Sequence, residues 1–112
     1  MDEFTALADP TRRKILEMLA SHGELAASDI HKQFPVTPPA ISQHLKVLKE
    51  ARLVRVRKQA QQRIYALDRE KIVALEAWLK QVRQLWDESF AALAEHLEAE
   101  KQKHSKKSKE QS

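Results

Sequence analysis

Apolar residues recur along the first half of the chain at the three- and four-residue steps of amphipathic helices, and residues suited to starting or stopping a helix bound each run. Residues 2–8 read as a short helix. Asp9-Pro10 supplies an N-cap followed by the residue best suited to the first helical position. Ile15, Leu16 and Leu19 then carry a second helix to Ser21-His22-Gly23, where the one glycine can take a left-handed cap conformation. Ser28 to Phe34 makes a third helix, with Ile30 and Phe34 on one face, and Pro35 ends it.

Thr37-Pro38-Pro39 opens the next helix, which runs to about Ala51: Thr37 can cap, and the prolines occupy a first turn whose N–H groups lack partners anyway. On a helical wheel Ile41, Leu45 and Leu48 form a core face, while Pro39, Ser42, Gln43, Lys46 and Glu50 fall on the far side. From Leu53 the period changes to two. Val54 and Val56 alternate with Arg55 and Arg57, Gln59-Ala60-Gln61-Gln62 intervenes, and Arg63-Ile64-Tyr65-Ala66-Leu67 returns, which predicts a two-stranded hairpin. Asp68 caps a last helix over residues 68–99, in which Leu79, Val82, Trp86, Phe90 and Leu93 belong to a continuous apolar stripe. At 1.5 Å per residue such a helix is about 45–50 Å long, more than the width of a small domain, so its stripe needs a second subunit to cover it. The expected organisation is one domain over residues 1–99 and a disordered Lys-rich tail over residues 100–112.

Composition narrows the chemistry. The chain has no cysteine, which excludes disulfides, thiolate metal sites and cysteine nucleophiles. It has no Gly-rich phosphate loop and no strand-to-helix serine elbow, so catalysis has little to rest on, and no cofactor or metal is expected. No apolar run reaches a membrane span and no signal peptide is evident, so a cytoplasmic protein is expected. The net charge is +4, but its distribution says more. From Gln43 to Arg63 seven bases face Glu50 alone, a local +6, whereas Asp68 to Ala99 holds seven acids against four bases, a local −3. A basic stripe next to an acidic helix is the footprint of nucleic-acid binding.

The element order is three helices, a turn, a helix with a polar outer face, a basic hairpin and a long helix. It predicts a mostly α fold with a small β-hairpin, a winged helix-turn-helix. In that fold the residue 38–51 helix enters the major groove. Gln43 suits adenine, Ser42 either base and Lys46 guanine or phosphate, with Thr37 and the helix start suited to a phosphate. Arg55, Arg57, Lys58 and Arg63 on the wing would follow the backbone or enter the minor groove. His44 lies on the flank of the wheel, where packing competes with DNA contact. A winged-helix interaction module without specific DNA binding is the alternative, since fold alone does not fix function.

Three segments resemble the ArsR/SmtB family of bacterial repressors: Ala6-Leu7-Ala8-Asp9-Pro10-Thr11-Arg12-Arg13, Pro39-Ala40-Ile41-Ser42-Gln43-His44-Leu45-Lys46-Val47-Leu48, and the wing that follows. The resemblance covers Phe4 to about Leu67 closely. It implies a homodimer built from the first and last helices, with Phe4 and Leu7 joining the long-helix stripe at the interface. It also implies a palindromic double-stranded operator, often the protein's own promoter, and often release by a ligand. A pair of rings such as Trp78 and Trp86 is far more often core or interface than a ligand cage, although a dimer cleft lined by them could host an unidentified small apolar effector. Where metal sensors of that family carry two cysteines on the third helix, this chain has Ala26 and Ser28, and His96 lacks the second helical histidine of the alternative site. Metal sensing by those routes is not expected.

Overall fold

Capping chemistry sets the helix boundaries in the computed structural model, which describes residues 2–110 and side chains as far as residue 103. Asp2 accepts from the Thr5 N–H at 2.7 Å and starts α1 (Glu3–Leu7); Asp9 accepts from the Arg12 N–H at 3.0 Å and starts α2 (Pro10–His22). Gly23 ends α2 at φ 83°, a conformation open to it without a Cβ penalty, and donates to Leu19 O at 2.8 Å. Next come β1 (Glu24–Ala26), α3 (Ala27–His31) and α4 (Pro38–Glu50). β2 (Val54–Gln59), β3 (Gln62–Leu67) and α5 (Arg69–Glu110) complete the chain.

The exit from α4 is a Schellman turn. Arg52 takes the left-handed conformation at φ 62°, its N–H bonds Lys49 O, and the Leu53 N–H reaches back to Leu48 O, both at 3.0 Å. Leu48 and Leu53, which such a turn brings together, are both fully buried. With Ile15, Leu19, Ile30, Ile41 and Leu45 they form the centre of a core to which α2, α3 and α4 each contribute. Removing one of these side chains, as in Leu48→Ala, should cost about 2–5 kcal/mol.

Three boundaries differ from the sequence expectation. The hairpin is part of a three-stranded antiparallel sheet in the order β1-β3-β2, with Leu25 opposite Tyr65 and Ala26 opposite Ile64. A strand of only three residues is too short to show a period. The third helix begins at Ala27 and ends at His31, and the chain to Phe34 is held by single turns such as Gln33 N–H to Ile30 O at 3.1 Å. The last helix continues to Glu110 where a disordered tail was expected, because Lys, Glu and Gln are good helix formers and no Pro or Gly interrupts them. Residues 111–112 of that expected tail lie outside the described residues.

Contacts divide the chain into a unit ending at Ala74 and a second from Leu75 onward, the latter a single run of α5. In that run Leu79, Val82, Trp86, Phe90, Leu93 and Leu97 are all exposed, Trp86 to 71% and Phe90 to 65%. No helix is long and apolar enough to cross a membrane among the described residues.

Candidate nucleic-acid interface

The recognition helix is split by its own periodicity. Ile41, Leu45 and Leu48 point into the core, with Val47 also buried, and this leaves Pro39, Ser42, Gln43, Lys46 and Lys49 outward. The outward set lines one side of an open groove of about 560 Å³, whose other side is made by Arg63 and Tyr65 of β3. Lys49 was not singled out from the sequence. Its position, three residues after Lys46 on the same face, was the available signal.

Strand alternation sorts the four wing cations into two pairs. In the β2–β3 register Lys58 lies directly opposite Arg63, Arg55 opposite Ala66, and Arg57 opposite Ile64. Arg63 lines the groove, and Lys58 shares its face of the sheet. Arg55 and Arg57 lie on the other face, where each meets acids of its own chain. Arg57 forks onto Glu24 of β1 with contacts of 2.8 and 3.4 Å and also donates to Gln59 Oε1 at 2.6 Å. Arg55 Nε is 3.2 Å from Asp68 Oδ2, and its Nη2 is 3.6 Å from Glu70. These bonds hold the Glu24 carboxyl below its ordinary range, through the Arg57 side chain, and raise both guanidinium groups further above theirs. Asp68 is also held low, first by the Lys71 backbone N–H and then by Arg55.

The start of α4 differs from what its sequence suggests. Thr37 occupies the N-cap position, but its hydroxyl makes no capping bond. Pro38 and Pro39 have no N–H, and the Ala40 and Ile41 N–H groups both turn back to Thr37 O, at 3.0 and 3.3 Å. No cluster of free N–H groups from the first turn therefore waits for a phosphate there, and the Thr37 hydroxyl remains to offer.

His44 turns inward. It is half-buried, with Nδ1 3.3 Å from Arg12 Nη1 and 3.9 Å from Asp9 Oδ2. Arg12 and Arg13 have a role the sequence did not reveal: they close the carbonyl end of α1. Arg12 donates through Nε to Ala6 O at 2.8 Å and through Nη2 to Thr5 O at 3.1 Å, and Arg13 Nη1 donates to Leu7 O and Ala8 O. Asp9 is held below the ordinary carboxylate range chiefly by the Arg12 backbone N–H.

Known proteins share this arrangement. The profile described as "Bacterial regulatory protein, arsR family" matches residues 9–56, from the α2 cap to β2. The HTH-type transcriptional regulator Rv2034 of Mycobacterium tuberculosis is 44% identical over 97 residues, covering 87% of this chain and 87% of that protein. The chain belongs to the arsR family. This family member is a DNA-binding transcriptional regulator. It is also similar to the transcriptional repressor SdpR of Bacillus subtilis, at 42% identity over 58% of this chain and 71% of that one. The solved ArsR-like transcriptional regulator from Rhodococcus sp. RHA1 superimposes with a TM-score of 0.76 at 29% identity, covering 86% of this chain and 87% of that one. In this regulator Ala26 and Ser28 offer no thiolate or imidazole. Among the described residues no three His, Asp or Glu side chains gather as metal ligands.

Proposed function

We propose that this regulator is a homodimeric repressor acting in the cytoplasm on a palindromic operator, its own promoter included. The groove between α4 and β3 carries this reading, because it places three base-reading or phosphate-binding side chains of one helix (Gln43, Lys46 and Lys49) opposite Arg63. Ser42 and Gln43 read base edges. Lys46 and Lys49 contact guanine or the backbone, and the Thr37 hydroxyl contacts a phosphate. Lys58 and Arg63 clamp the backbone from the wing. Like charges directly opposite on a sheet repel, so the Lys58–Arg63 pair is better accommodated with a phosphate between them. Arg55 and Arg57 brace the wing and do not enter the contact set.

A second copy of the chain covers the exposed stripe of Leu79, Val82, Trp86, Phe90 and Leu93 on α5, with Phe4 and Leu7 of α1 completing the interface. The test is selection of bound duplexes from a random library, followed by titration of the best site across salt. A palindrome with half-sites one helical turn or a multiple apart, bound with a steep salt slope, is the expected result. No enriched sequence and a flat salt response would favour an interaction module instead.

A further inference from the structure

Apolar packing sets how deep a helix sits but holds its rotation only loosely, whereas a hydrogen bond is directional. Among the described residues the recognition helix has one such bond to a neighbouring helix near its reading residues: Arg12 Nη1 to His44 Nδ1, 3.3 Å, one residue from Gln43 and two from Lys46. A guanidinium only donates and stays protonated, so His44 Nδ1 must accept, and a neutral His44 carries its proton on Nε2. The same guanidinium holds Ala6 O and Thr5 O at the carbonyl end of α1, and Thr5 O also accepts from the Ala8 N–H at 3.2 Å. Asp9 anchors the Arg12 backbone N–H at 3.0 Å. One side chain thus ties together the end of α1, the start of α2 and the middle of α4.

We infer that His44 is a positioning residue and not a base contact: through Arg12 it fixes the rotation of the recognition helix relative to α1. The inference rests on the proposed dimer, in which α1 belongs to the interface. Arg12 then transmits the position of the two-fold axis to each reading helix and sets the half-site spacing the dimer accepts. A residue that reads a base governs preference at one base pair; a residue that sets helix rotation governs spacing.

The test uses the full-length protein on the selected operator and on copies whose half-sites are moved together or apart by one base pair. His44→Ala should bind the operator roughly tenfold more weakly, discriminate less between spacings, and keep both the wild-type salt slope and the wild-type base preferences. His44→Asn, whose Oδ1 can accept in the place of Nδ1, should restore affinity and spacing selectivity. In the free protein the imidazole nitrogen shifts should show Nε2 protonated and Nδ1 bare. Relaxed preference at one base pair with spacing intact would make His44 a base contact and overturn the inference, as would wild-type binding by His44→Ala. A wild-type protein that selects no operator would overturn the proposed function itself. A bare Nδ1 in that protein would then leave Arg12–His44 as a structural bond only.

Discussion

Ala60 pays a conformational cost at the tip of the wing. It connects β2 to β3 at φ 55°, a region where a Cβ is crowded and glycine is at ease. Replacing it should relieve more strain than the added freedom of the unfolded chain takes back. Ala60→Gly is expected to stabilise the protein by about 0.5–1 kcal/mol and raise its melting temperature by a few degrees, read by thermal unfolding. The capping aspartates give a second residue-level expectation. Asp2, Asp9 and Asp68 are each held below the ordinary value of 3.8, first by a backbone N–H of the helix they start. Between the lower folded values and 3.8 the unfolded chain binds more protons, so stability rises with pH there. Their contribution is complete above about pH 5 and is lost as pH falls through the folded values. Denaturant unfolding followed from pH 6 to pH 2 should show that decline. Asp9→Asn, which keeps a capping oxygen but cannot titrate, should make it shallower.

At the scale of the elements, the wing sets its cations two against two, and this gives opposite expectations for residues that look alike in sequence. Arg63→Ala should lower the slope of log affinity against log salt by about one, the loss of a single phosphate contact. Arg57→Ala should leave the slope near wild type because Arg57 is occupied by Glu24. Glu24→Gln should release Arg57 and steepen the slope. Equal losses in Arg57→Ala and Arg63→Ala would show that the ion pair opens on DNA. That division was not legible in the sequence: alternation places Arg55 and Arg57 together, but their partners Glu24, Asp68 and Glu70 lie 13 to 33 residues away or in another element. Local signals were legible. Asp9-Pro10, Gly23 and Asp68 mark real caps, and the period of Ile41, Leu45 and Leu48 separates core from reading face because α4 needs only one neighbour to bury one side. The position of His44 depends on Arg12, 32 residues earlier, and the strand β1 exists only because β3 offers it an edge.

At the scale of the whole molecule, the proposed dimer makes α5 the element on which two reading heads acting as one depends. Its 42 residues span about 63 Å at 1.5 Å per residue, and the stripe exposed along it includes two aromatic rings four residues apart, Trp86 and Phe90. Water contact of that extent is the mark of a surface meant for a partner. A dimer holding two half-sites gains affinity because the second contact forms at the high effective concentration set by the first. Replacing Trp86 and Phe90 together by Glu keeps good helix formers, so helicity by circular dichroism should stay near wild type, and the core of residues 2–74 contains neither ring. Sedimentation should then report a monomer. Affinity for the full operator should fall at least a hundredfold, toward that of the unchanged protein for a single half-site. If the double variant remains dimeric and binds as before, the stripe is not where the two copies meet.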